Sequence, residues 1–236
     1  GRLPPDFLFR PRSGGIEPLL RAREQARVQL AARESRVPTY ELLPIVENRG
    51  LARLPEPKTG DVFLTIKGDP FITDGGREYL FGLLIVQADG MHRHASLWAI
   101  TTEDECSMLE RVVAEIECSL ANCPDAHIYH YGGYEPLALK RITGRHRTCE
   151  SSSDRLLRRD RFVDLQSIVQ HGVRASVDRY SLEQLEPFYQ FERHVPRVVA
   201  RQALRVVERA LEFGLTREFD DDARFAAEGY IAANCR

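Results

Sequence analysis

Lysine is scarce in this chain: only Lys58, Lys67 and Lys140 occur, against thirty arginines among the 33 basic residues. A lysine at any site is therefore a less casual choice than it would be elsewhere. Cysteine is also sparse. The five residues (Cys106, Cys118, Cys123, Cys149, Cys235) are odd in number and show no CxxC spacing, which excludes a disulfide framework or a zinc ribbon. Cys118 and Cys123 read as small buried thiols near a helix end. No stretch of eighteen apolar residues exists and no charged-then-apolar leader opens the chain, so membrane insertion and secretion are disfavoured and a reducing cytoplasm fits best. Net charge is nearly absent as well: −2 at neutral pH gives no global pull toward nucleic acid, so such a contact must come from a local patch. Internal repeats, low-complexity tracts, Ser/His/Asp or Cys/His arrangements and a phosphate loop are all missing.

What is present is a globular composition, 43% hydrophobic and 29% charged over 236 residues. That length can bury a real core and suits one domain with an appendage, or two small domains. The chain opens on Gly-Arg and stops after Cys235-Arg236, so it reads as a segment of something longer, its main domain truncated at the C-terminus. Residues 1–57 form an N-terminal helical and connector segment. Its helix runs from Ile16 to about Arg33, with Leu19, Leu20, Ala26 and Leu30 as the apolar face. The main domain covers 58–236.

Within that domain, 62–67 and 78–87 read as strands, and Ala88-Asp89-Gly90 is a hairpin turn leading to a third strand over 94–100. Glu103 to Leu120 has helical period with Thr101 or Thr102 as cap. A buried strand follows at 127–131, then a helix over 135–142, an arginine-rich loop, and a short strand at Phe162-Val163-Asp164. Ser181 caps another helix, Pro196 opens a long amphipathic one closed by Gly214, and Asp220 to Arg236 is helical. The fold class expected is α/β, with a mixed sheet flanked by helices.

The ordered series Gly60-Asp61-Val62-Phe63, Gly68-Asp69-Pro70-Phe71, Glu78-Tyr79-Leu80-Phe81-Gly82, His127-Ile128-Tyr129-His130-Tyr131, Val163-Asp164-Leu165, Tyr180-Ser181-Leu182 and Glu228-Gly229-Tyr230 spans nearly the whole chain. It resembles the ribonuclease H-like domain of RecB-type nuclease proteins, the YprB-like group with a 3'–5' exonuclease-like fold. The resemblance implies a sheet that begins with antiparallel hairpin strands and continues parallel. It also implies Mg²⁺ or Mn²⁺ as cofactor, a nucleic-acid substrate, and a helicase-like region as neighbour.

Two-metal hydrolysis needs divalent ions about 3.5–4 Å apart, held by hard carboxylate oxygens. In the family an acidic pair two residues apart shares one face of the first strand, a third acid follows a later strand, and a Tyr-x-x-x-Asp shares one face of the last helix. Carried onto this chain, the positions are Thr65 and Lys67, Glu135, Tyr230 and Asn234. Only Glu135 and Tyr230 keep the family's residue type. A lysine in such a site is costly: two unit charges 4 Å apart at an effective dielectric of 20 repel by about 4 kcal/mol, and against a divalent ion by roughly twice that. No metal is therefore expected, and Lys67 is expected to take a cation's place by pairing with Glu135.

Other acids read as structural. Asp61 and Asp69 are taken as solvated strand-end or loop residues, Asp164 as a helix cap, and Asp220-Asp221-Asp222 as a charge complement to the last helix. From Lys140 to Arg161 the cations Arg141, Arg145, Arg147, Arg155, Arg158, Arg159 and Arg161 outnumber Glu150, Asp154 and Asp160, leaving a local excess of five positive charges with Lys140 included. This stretch is either a single-strand DNA or RNA contact or a solvated loop. Two function classes stand: a catalytically silent module that binds nucleic acid or a partner domain, and an active exonuclease with unusual ligands.

Overall fold

The computed structural model describes residues 15–72, 75–158, 161–215 and 220–236. In chain order the elements are helix α1 (Ile16–Ser35), strand β1 (Tyr40–Leu42), a 3-10 turn (Gly50–Arg53), β2 (Val62–Asp69), β3 (Arg77–Val86), β4 (His92–Trp98), α2 (Thr102–Asn122), β5 (Ile128–His130), α3 (Tyr134–His146), α4 (Glu150–Arg158), β6 (Phe162–Asp164), α5 (Leu165–Gly172), β7 (Val173–Ala175), α6 (Leu182–Leu185), α7 (Arg197–Glu212) and α8 (Asp221–Cys235). None of the described helices is long and apolar enough to cross a membrane.

Five strands form one sheet in the order β4-β3-β2-β5-β6. The hairpins β2–β3 and β3–β4 are antiparallel, whereas β5 joins β2 and β6 joins β5 in parallel. The mixed sheet flanked by helices is the architecture expected from the residue pattern. After β4 the chain returns through α2 to the far side of β2. The strand order therefore reverses between β2 and β5, and a crevice opens beyond the carboxyl ends of such strands.

Alternation along β2 divides the sheet's two faces. Val62, Leu64 and Ile66 enter the main core with Leu109, Val112 and Ile116 of α2 and Leu139 and Ile142 of α3. Tyr79 and Leu80 of β3 belong to a second core with Val207 and Leu211 of α7 and Ile231 of α8. Thr101 caps α2 with a full capping box: its hydroxyl accepts from Asp104 N at 3.1 Å while Asp104 accepts from Thr101 N at 2.8 Å. Asp164 caps α5 as expected, and Asp220, expected only as a charge complement to α8, also caps it through a bond from Ala223 N.

Several expectations change. The arginine-rich segment is not a loop: α3 continues to His146 and α4 follows, the break marked by left-handed backbone at Arg147 and Cys149. The third strand starts at His92 rather than His94. Asp61 is not solvated but 2% exposed, accepting from Lys58 N and His127 N at 2.8 Å each, so it ties the start of β2 to the start of β5. Cys118 is exposed rather than buried. On α1 the only buried residue is Val28, and Leu19, Leu20 and Leu30 face outward. The helix is instead docked by glutamines, Gln25 donating to Ala175 O at 2.8 Å and Gln29 to Val177 O at 2.7 Å. A second sheet, β1 against β7, also escapes the periodicity because each strand has three residues.

Gly82 fixes how closely α8 approaches the sheet. A Cβ there would lie 2.8 Å from Ile231 Cγ1 and 2.9 Å from Thr65 Cγ2. Both neighbours are buried and cannot swing aside. Gly82→Ala should therefore destabilise by about 1–3 kcal/mol, whereas Gly144→Ala, with open space in helix α3, should stabilise by up to about 1 kcal/mol. Urea midpoints read both signs; equal shifts would contradict the close-packed α8.

Candidate functional site

A cleft of about 400 Å³ lies at the reversal point between β2 and β5, and it brings together all five positions singled out above: Thr65, Lys67, Glu135, Tyr230 and Asn234. Thr65 and Lys67 come from the face of β2 turned away from the main core. Glu135 sits in the first turn of α3, delivered by the Gly132-Gly133 turn with Gly132 at φ +93. Tyr230 and Asn234, four apart, share a face of α8.

The β2–β5 ladder pairs only Val62 and Phe63, so the upper edge of β2 on that side has no strand partner, and Glu135 supplies one. Its Oε1 accepts from Ile66 N at 3.4 Å. Its Oε2 is buried with no hydrogen-bond partner, the only such carboxylate oxygen among the described residues. Burial pushes the Glu135 carboxyl up to about 7; backbone N–H donors and the charge of Lys67 pull the other way without winning. His130 Nδ1 lies 4.0 Å from Glu135 Oε2, but burial lowers the His130 pKa despite its bond to the Gly132 carbonyl. Both groups thus lean toward their neutral forms, because the wall is dry.

Lys67 does not pair with Glu135. No ion pair between them exists among the described residues; the ammonium lies instead 5.2 Å from the centroid of the Tyr230 ring. The ring face on α8 attracts a cation by its quadrupole without requiring desolvation of a second charge. A second cation, which the sequence reading missed, approaches the same ring: Arg193, 5.1 Å from its centroid. The Arg193 side chain is 5% exposed, pairs with Glu186 and donates to Asn234 Oδ1 at 3.0 Å. Glu186 is in turn held by Arg197 at 2.7 Å. Arg193 lies in a segment without regular structure, and no local motif marks it.

The arginine stretch is largely spent on internal partners. Arg141 pairs with buried Glu78, Arg145 with buried Glu105 at 2.7 Å, Arg155 with Glu117, and Arg158 with Asp154 at 2.7 Å. Arg161 donates to the Ala126 carbonyl at 3.0 Å, while Arg147 is exposed at the end of α3. Arg159 lies outside the described residues. The local charge count overstated the free positive charge because Glu78, Glu105 and Glu117 arrive from distant parts of the sequence. None of the described arginines in this stretch lines the cleft.

The mixed sheet with its crevice at the strand-order reversal defines a ribonuclease H-like domain. The RNase_H superfamily model RNase_H_2 matches residues 62–219, and the chain belongs to that family. No curated protein and no solved structure matches it. The matched span contains Thr65, Lys67 and Glu135 and stops before α8, so Tyr230 and Asn234 join the cleft through packing rather than through the match.

The side chains gathered here do not fit a pair of divalent cations. Among the described residues no three of His, Cys, Asp and Glu converge as ligands would. The cleft's Thr65 is a neutral, weak donor, Asn234 is engaged by Arg193, and Lys67 brings a positive charge. Glu135 alone cannot offset four ionic charges.

The shift at Glu135 predicts how stability depends on pH. With a folded pKa raised from 4.5 to about 7, this group favours folding fully below its unfolded pKa, and that contribution is lost as pH rises through the folded value. Glu135→Gln should match wild type at about pH 5 and exceed it by up to about 3 kcal/mol at about pH 8.5. A gap in urea midpoint that does not grow with pH would contradict this.

Proposed function

We propose that the chain is a ribonuclease H-like module that no longer hydrolyses phosphodiesters and instead holds a nucleic-acid strand or a partner domain. The observation that carries the reading is Lys67, which lines the cleft where the family resemblance calls for metal-binding carboxylates and lies 5.2 Å from the Tyr230 ring, with Arg193 at 5.1 Å from the same ring. Positive charge fixed there repels a divalent ion by several kcal/mol, on the order of 8 for one ammonium at 4 Å and an effective dielectric of 20. Thr65, Lys67 and Asn234 are then three replaced ligands of one site, and Glu135 and Tyr230 are its survivors.

The motif series supports a finer placement in the YprB-like group of RecB-type nucleases, acting in the cytoplasm on single-stranded DNA or RNA. A helicase-like region is the partner that placement suggests. Retained Glu135 and Tyr230 keep open the second reading, an exonuclease with unusual ligands, and hydrolysis decides between the two. End-labelled single-stranded DNA and RNA, incubated with excess protein and Mg²⁺ or Mn²⁺, should remain full length. Stepwise shortening that disappears in Glu135→Gln would establish the second reading and remove the first.

A further inference from the structure

We infer that the cleft binds a nucleotide phosphate without any divalent ion, the charge being supplied by Lys67. This rests on the silent-module reading and specifies the ligand of the same cleft. The Lys67 ammonium has three N–H donors, yet among the described residues no acceptor lies within hydrogen-bond reach, and it faces the Tyr230 ring. The deepest acid in the wall does not cancel that charge: Glu186, 3% exposed, is already matched by two guanidiniums, Arg193 and Arg197. Glu183 is likewise held by Arg201. The balance of the cleft is positive, which an anion complements.

One unfilled valence marks what else the ligand carries. Glu135, a lining residue, has its Oε2 buried without a donor, so it fits a hydroxyl or amino group. Tyr189, 55% exposed, and Phe191, with ring centroids 6.1 Å apart and planes tilted by 46°, add aromatic surface to the wall. Inorganic phosphate would use the cation alone. A nucleotide offers all three complements: an anion, hydroxyl and amino donors, and a π-face for the aromatic wall. The volume of about 400 Å³ is at the small end of ligand sites, which run from about 300 to 1,000 Å³, and suits one nucleotide rather than a run of them.

The test is equilibrium binding in EDTA, by calorimetry with thymidine 5'-monophosphate and by anisotropy with a fluorescent oligothymidylate. Saturable binding of either probe is expected, unchanged when Mg²⁺ replaces EDTA. Lys67→Gln should weaken it by about tenfold or more, and Lys67→Arg should keep it within a few-fold, because both cations bind phosphate. If both probes bind, the free nucleotide suffices; if only the oligonucleotide binds, the site reads a strand end. Either result supports the inference once urea midpoints show Lys67→Gln to be folded. It is overturned if neither probe binds in EDTA, if binding appears only with Mg²⁺ or Mn²⁺, or if folded Lys67→Gln binds as wild type does. Absence of binding without hydrolysis would remove this inference alone, whereas metal-dependent cleavage would remove the silent-module reading beneath it.

Discussion

The aromatic ring of Tyr230 is the point on which the cleft's electrostatics turn. It is carried by α8, and α8 reaches the sheet only because Gly82 leaves room for Ile231 and Cys235 above β3. Once seated, the ring draws Lys67 from β2 and Arg193 from the segment before α7. Each such contact is worth about 0.5–2 kcal/mol, and together they fix two cations beside one ring. The backbone supplies the crevice, and Lys67 brings a positive charge to its wall.

The rest of the interior shows how carefully charge is matched elsewhere. Glu78 is met by Tyr134 and Arg141, Glu105 by Arg145 and His146, and Glu186 by Arg193 and Arg197. Gly68 serves the first of these groups, since a Cβ there would fall 1.5 Å from Glu78 Oε2. Buried carboxylates without partners are expensive, and these have them. Glu135 is the exception among the described residues, with one oxygen unmatched and a carboxyl pushed toward neutrality.

Much of this was legible in the residues. Strand alternation at 62–67, the Asp-Gly hairpin, a cap at Thr101 or Thr102 and the cap at Asp164 rest on local rules, and the local structure follows them. The five cleft positions come from three separate elements, yet their i, i+2 and i, i+4 spacings already place Thr65 with Lys67 and Tyr230 with Asn234. What escaped was set by distance in sequence. Arg193 carries no motif and acquires meaning only when α7 and α8 fold over the sheet. The arginines after Lys140 looked unpaired because their acidic partners lie up to 63 residues away, as Glu78 does from Arg141. Asp61 looked solvated because its partner, the His127 backbone, is 66 residues distant. Lys67 was misdirected for a related reason: charge matching favoured Glu135, while the actual neighbour is an uncharged ring contributed by the last helix.

Central to the proposed function is the claim that Lys67 keeps divalent cations out of this cleft. Calorimetric titration of the chain with Mn²⁺ addresses that claim without reference to any substrate. It predicts no saturable binding, in wild type and Glu135→Gln alike. Saturable uptake of Mn²⁺ by the wild-type chain that Glu135→Gln abolishes would contradict it.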